Sequence, residues 1–214
     1  SADLIHQKAM EWIDKQDGKQ PFYGFFTYTL PHAELAQPND SILKGYKKHF
    51  FSVNTWGGSE GSRYNAVEHT HAEFAGMITR LDSYVGEVLK KLKEKGLDDN
   101  TIVIFSSDNG PHEEGGADPE FFGRDGKLRG LKRQCHEGGI RIPFIVRWPG
   151  RVSAGMVNDH QLAFYDVMPT FCELMGDHAG ASPCIASSRW MRSAVGGWVP
   201  KMLAEPAAAN GLIT

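Results

Sequence analysis

One stretch limits the folds open to this chain more than any other: Thr101-Ile102-Val103-Ile104-Phe105-Ser106-Ser107-Asp108-Asn109-Gly110-Pro111-His112. Its β-branched and aromatic residues run unbroken from Thr101 to Phe105, and Asp-Asn-Gly-Pro then turns polar at once. So short an apolar run reads as a strand buried on both faces, as in a parallel sheet covered by helices. In such sheets ligands bind beyond the carboxyl ends of the strands. Asp108 and Asn109 fall at that edge. A carboxylate oxygen beside an amide oxygen suits a hard cation such as Ca²⁺ or Mg²⁺. Taken alone, Asn-Gly-Pro is more simply a turn leaving a strand.

The rest of the chain supplies elements for such a sheet. Leu4, Ile5, Ala9, Trp12 and Ile13 recur at helical spacing and predict a helix over 2–16. The aromatic and β-branched run 21–30 (PFYGFFTYTL) predicts a second buried strand. Residues 33–65 read as irregular, with turn chemistry at Pro38-Asn39-Asp40-Ser41. A stripe of Phe74, Met77, Ile78, Leu81, Val85, Val88, Leu89 and Leu92 predicts a core-facing helix over 66–95, with Gly96 as its stop. Residues 140–148 (IRIPFIVRW) predict a third strand, and 166–176 a helix with Asp166 as N-cap, Pro169 in its first turn and Gly176 at its end. The expectation is an α/β domain in which strands 21–30, 101–107 and 140–148 share one mainly parallel sheet.

Composition narrows the function classes. With 214 residues the chain can bury a sizeable core, and its 41% hydrophobic and 23% charged residues are ordinary for a globular protein. A net charge of -3 gives no reason to expect nucleic acid as a partner. No apolar run reaches the ~20 residues of a membrane helix, and no signal peptide opens these residues. Cys135, Cys172 and Cys184 make neither a disulfide framework nor a metal-ligand spacing, and Cys172 reads as a buried thiol in an apolar helix.

The residues after Asn109 carry more. They run Leu128-Arg129-Gly130-Leu131-Lys132, then Glu137-Gly138-Gly139-Ile140-Arg141-Ile142-Pro143, then Trp148-Pro149-Gly150. With Ser107-Asp108-Asn109-Gly110 before them, and Pro21-Phe22 followed by Pro31-His32 further upstream, this succession resembles the sulfatase family of the alkaline-phosphatase-like superfamily. The resemblance runs over residues 1–176 and stops at Asp177, so 1–176 is expected to be part of a sulfatase catalytic domain and 177–214 an atypical tail. It implies an incomplete alkaline-phosphatase-like fold with helices flanking the sheet, and hydrolysis of a sulfate ester by the whole enzyme. It places His32 and Lys132 on the sulfate group, with His112 a further substrate contact, and Asp108 and Asn109 on a Ca²⁺ ion, Mg²⁺ being the alternative. The chemistry is consistent: an imidazolium and a compact ammonium both partner an oxyanion well. The glutamates of the 110–126 loop, and Asp118, read as solvated residues rather than ligands.

The same resemblance marks what these residues lack. The family's nucleophile is a formylglycine made from a cysteine or serine in a C/S-x-P/A-x-R segment. No such segment occurs here: Cys184 has Ala186 in place, but Ser188 stands where arginine is required. The amino-terminal aspartate pair and the upstream lysine and histidine are also missing, and are expected upstream. The implied substrate is a sulfated small molecule or sulfated glycan, and a periplasmic or secreted location is expected. The alternatives are a phosphodiesterase or phosphonate hydrolase of the same superfamily, or a non-catalytic anion- or glycan-binding module.

Overall fold

A computed structural model of the chain describes residues 2–50, 52–58, 61, 63–123 and 128–176. The tail from Asp177 and the near-miss Cys184 lie outside the described residues. The chain divides into two compact units, 1–98 with 104–145, and 99–103 with 146–214. Every described candidate residue belongs to the first.

The first unit is built on three helices: α1 (Ala2–Asp14), α2 (Ser41–His49) and α3 (Thr70–Glu94). Both α1 and α2 lie against α3. The buried stripe of α1 is Ala2, His6, Ala9 and Ile13, so the predicted stripe is rotated and Leu4 faces solvent. His6 explains the rotation. Its ring stacks on Tyr84 of α3 with centroids 4.2 Å apart. Its Nδ1 and Nε2 meet the Tyr28 hydroxyl at 2.9 Å and Glu87 Oε2 at 3.0 Å. A polar side chain this buried is stable only because both ring nitrogens are engaged.

Helix α2 falls where an irregular excursion was expected. Asp40 caps it, its Oδ1 accepting the Ile42 and Leu43 amides at 3.0 and 3.2 Å, and Lys47, Lys48 and His49 complement the dipole at its other end. The Arg80 guanidinium of α3 reaches Asp40 Oδ2 at 2.5 Å and holds its carboxyl below the usual range. Helix α3 starts at Thr70 rather than at 66, because Val67 bridges to Trp56 across an isolated antiparallel pair. It ends as expected, with Gly96 at φ +68.

Two strands follow, β1 (Val103–Ser106) and β2 (Phe144–Arg147), and they pair with each other. A short helix, α4 (Glu137–Ile140), takes the start of the predicted third strand. The α/β class stands, but the three-stranded sheet does not. Residues 21–30 form no strand. Exposure alternates along most of them with the period of an extended chain, yet they pair with no strand among the described residues. Instead Phe22 and Phe26 meet Trp12 edge-on, and Tyr28 stacks on Tyr84, while Tyr23 and Phe25 stay exposed. With few neighbours, β1 is half-buried along its length rather than covered on both faces.

In the second unit, Arg151 lies over the ring of the buried Trp148, and a 3-10 turn (Phe164–Asp166) runs into α5 (Val167–Met175). Asp166 stands at the N-cap of α5 as predicted, but its carboxylate makes no capping bond to that helix and turns back to accept the Ala163 amide at 2.8 Å. Gly176 ends the helix at φ +78, as expected. Cys172 is a half-buried free thiol. No helix among the described residues is long and apolar enough to cross a membrane.

The His6 contacts give the first prediction. His6→Ala deletes a stacked ring and strands the Tyr28 hydroxyl, so it should cost about 2–4 kcal/mol in urea unfolding. His6→Phe keeps the stacking and should lose less. Equal losses would mean the ring contributes nothing beyond its hydrogen bonds.

Candidate active site

The site begins where β1 ends. Ser107 Oγ donates to the Asn109 carbonyl at 3.0 Å, and the Asn109 side-chain amide donates to the Gly110 carbonyl at 2.8 Å. These bonds curl the loop. They engage the nitrogen of the Asn109 amide, so that its oxygen is the atom suited to a cation beside the exposed Asp108.

The next residue fixes the loop in space. The Gly110 amide donates to the Gly139 carbonyl at 3.0 Å. A Cβ at Gly110 would stand 1.9 Å from the Gly138 carbonyl oxygen, and one at Gly139 would stand 2.2 Å from the Gln134 oxygen. These two motif glycines are therefore steric requirements, since backbone lies where a side chain would be. The docked segment delivers Lys132, whose backbone amide donates to the Pro111 carbonyl at 2.8 Å.

His112 lies three residues beyond Asn109, so their Cα atoms are at most about 11 Å apart. It is 8% exposed. Its Nε2 donates to the Pro31 carbonyl at 3.2 Å, and its Nδ1 accepts the Glu114 amide at 3.1 Å. A carbonyl only accepts and an amide N–H only donates, so the proton is assigned to Nε2. Burial, the largest influence, holds its pKa below the ordinary histidine value. Expected as a substrate contact, His112 has both nitrogens engaged within the chain and braces its neighbour, stacking on the His32 ring at 5.5 Å.

His32 is held from both sides as well. Its Nδ1 donates to the Ala33 carbonyl at 2.5 Å, which leaves Nε2 to accept from the Lys132 ammonium at 2.8 Å. Lys132 Nζ also reaches Glu114 Oε2 at 3.1 Å, and Arg133 meets Glu114 Oε1 at 2.5 Å. Lys132, followed by Arg133, holds the Glu114 carboxyl below the usual carboxylate range.

The structure thus draws His32, His112 and Lys132 from three segments into one contact network, and puts Asp108 and Asn109 on the loop that leads into it. The reading of the acidic loop needs correction. Glu114 is not a solvated glutamate; only 13% of its side chain is exposed, and it carries the site's negative charge. Asp118 is not simply solvated either. It pairs with the buried His71 at 2.9 Å and accepts the Phe121 amide at 3.0 Å. The only sequence hint to Glu114 was an acid two residues past His112, ahead of a Lys-Arg pair.

Asp108 and Asn109 fit a hard cation in the kind of donor and fall short in number. They offer two side-chain oxygens against the six to eight that calcium takes. Among the described residues no group of three or more His, Cys, Asp or Glu side chains completes a shell.

Known proteins supply the family. The sulfatase family model matches residues 1–177. The chain belongs to the sulfatase family. It is 39% identical over 113 residues to the steryl-sulfatase of Rattus norvegicus, covering 52% of this chain and 20% of that protein. It is 38% identical over 119 residues to the N-acetylgalactosamine-6-O-sulfatase of Bacteroides thetaiotaomicron, covering 49% and 22%. The crystal structure of Ps i-CgsB in complex with k-i-k-neocarrahexaose superposes with a TM-score of 0.67 at 27% identity, over 90% of this chain and 38% of that one. The chain spans about a fifth of the length of these curated relatives. Sulfatases typically work with a metal ion and a formylglycine nucleophile.

Two predictions follow from the site's construction. Gly110→Ala must push the Gly138 carbonyl away, and should cost about 1–3 kcal/mol in urea unfolding while detaching Lys132 from the loop. The second concerns pH. A histidine whose folded pKa is depressed contributes stability that is full above its unfolded pKa of about 6.5 and is lost as pH falls below it. The urea midpoint of the parent should therefore drop between about pH 7 and pH 5 more than that of His112→Gln. Identical slopes would show that His112 is not held neutral.

Proposed function

We propose that this chain carries the sulfate-holding face of a sulfuric ester hydrolase, and that the whole protein acts on a sulfated glycan. One observation carries the reading: the two residues that match the family's sulfate contacts, His32 and Lys132, meet at 2.8 Å beside the loop bearing Asp108 and Asn109. The glycan class is supported by two relatives, one named for N-acetylgalactosamine-6-O-sulfatase activity and one crystallised with a neocarrahexaose.

The roles follow from the donors. Lys132 donates to a sulfate oxygen as a point charge. His32, once protonated at Nε2, donates to the same group and can pass that proton to the departing alcohol oxygen. His112 keeps the His32 ring oriented from beneath. Asp108 and Asn109 would contribute their oxygens to Ca²⁺, or Mg²⁺, with further ligands from elsewhere in the whole protein. The bound cation would neutralise charge on the sulfate oxygens. The nucleophile is not among these residues, because the 214 contain no C/S-x-P/A-x-R segment.

The chain should therefore bind sulfate without turning over its esters. Calorimetric titration with inorganic sulfate should register binding that Lys132→Met weakens roughly tenfold to a hundredfold, the scale of one charge-assisted hydrogen bond. A chromogenic aryl sulfate with calcium present should stay intact. Turnover by the parent that vanishes in Asp108→Ala would overturn this division of labour and place a nucleophile within the chain.

A further inference from the structure

Glu114 stands in an unusual position for a site that is to hold an anion. Its Oε2 lies 3.1 Å from Lys132 Nζ and 3.5 Å from His32 Nε2. Those two nitrogens are themselves 2.8 Å apart. The three atoms form a triangle with the carboxylate oxygen at its apex. An oxygen bonded to both nitrogens at about 2.7–3.2 Å lies on a ring around the line joining them, and Glu114 Oε2, within that range of Lys132 and just beyond it from His32, stands next to that ring. The other oxygen, Oε1, is held by Arg133, whose side chain is 73% exposed. A small cleft lined by His112, Glu113, Glu114, Lys132 and Arg133 opens alongside.

We infer that Glu114 is a resident counter-anion of the sulfate subsite, occupying the position of a sulfate oxygen until substrate displaces it. The inference rests on the reading of His32 and Lys132 as sulfate contacts. It assigns Glu114 a role apart from theirs. With no substrate bound, two cationic side chains and a histidine ring face one another at the end of β1. The carboxylate compensates that charge and keeps Lys132 within reach of His32. An arriving sulfate brings its own charge, and a carboxylate at contact distance repels it. The carboxylate then leaves with Arg133 toward solvent, while Lys132 and His32 turn to the new oxygens. No bond is made or broken in the exchange. Its consequence is selectivity: only an anion strong enough to displace the carboxylate gains the site, which disfavours weakly charged or uncharged esters.

The exchange is tested by titrating inorganic sulfate into the parent chain, Glu114→Gln, Lys132→Met and the double variant, with folding checked by circular dichroism. Glu114→Gln keeps the shape and removes the charge, so it should bind sulfate roughly tenfold more tightly than the parent, the scale of one like-charge contact at a partly exposed site. Lys132→Met should weaken binding in both backgrounds. A Glu114→Gln chain that binds sulfate no more tightly, while Lys132→Met still weakens the parent, overturns the inference and leaves Glu114 as a support for Lys132. If Lys132→Met changes nothing in either background, the sulfate subsite itself is misplaced, and the inference falls with it. A measurement on the parent needs no variant. Saturating sulfate should move the ¹³C-detected titration of the Glu114 carboxyl up toward the ordinary carboxylate range. A midpoint that does not move rejects displacement.

Discussion

The contact between Gly110 and the Gly138-Gly139 backbone governs the site, because it sets one segment directly on another with no side chain between. A hydrogen bond of 3.0 Å between Gly110 and Gly139 joins the strand-exit loop to the segment that carries Lys132. From there the geometry propagates through short backbone bonds. Lys132 hangs from the Pro111 carbonyl, and Gly138 from that of Arg129. His112, one residue on, reaches back to Pro31 and so sets the place of His32. Backbone-to-backbone contacts tolerate little play, because neither partner can change rotamer. Three candidate side chains from separate segments therefore share one frame.

Charge is the second constraint. Lys132 and Arg133 converge on Glu114, which is largely enclosed, and such a carboxylate is tolerable only while paired. The ion pairs hold Glu114 ionised and restrain Lys132 near the His32 ring. That ring accepts at Nε2 in this arrangement, so the site is set to receive a proton before it can donate one. His112 lies beneath in a neutral, buried state that adds no further positive charge. The helices remain at a remove from this chemistry. They make a scaffold in which Arg80 binds the cap of α2, and His6 ties α1 to the aromatic segment 21–30.

Legibility in the sequence followed the range of the interaction concerned. The long periodic helix α3, its glycine stop, β1 and the Asp-Asn pair at its end were all readable, since each depends on neighbours within a few positions. The glycines at 110 and 139 were recognisable as a motif. The segment 21–30 was misread because a strand requires a partner, and a string of aromatic residues also suits a surface packed against helices. Helix α2 was missed because Asp40-Ser41 is turn chemistry as readily as a cap, and the Arg80 that secures it lies forty residues on. Glu114 was passed over because nothing local distinguishes it from Glu113.

The sequence by itself determined the family, the α/β alternation, and which residues stand as candidates for the sulfate and the cation, all carried by short motifs whose residues are adjacent in the chain. Tertiary structure alone decided how those residues meet. That His32 faces Lys132, that His112 is enclosed as a brace, and that Glu114 rather than Asp118 holds the central negative charge all follow from contacts across 18 to 100 positions. No local pattern encodes them, because the free energy of such a pair depends on burial and on the partner's position, and the folded chain sets both.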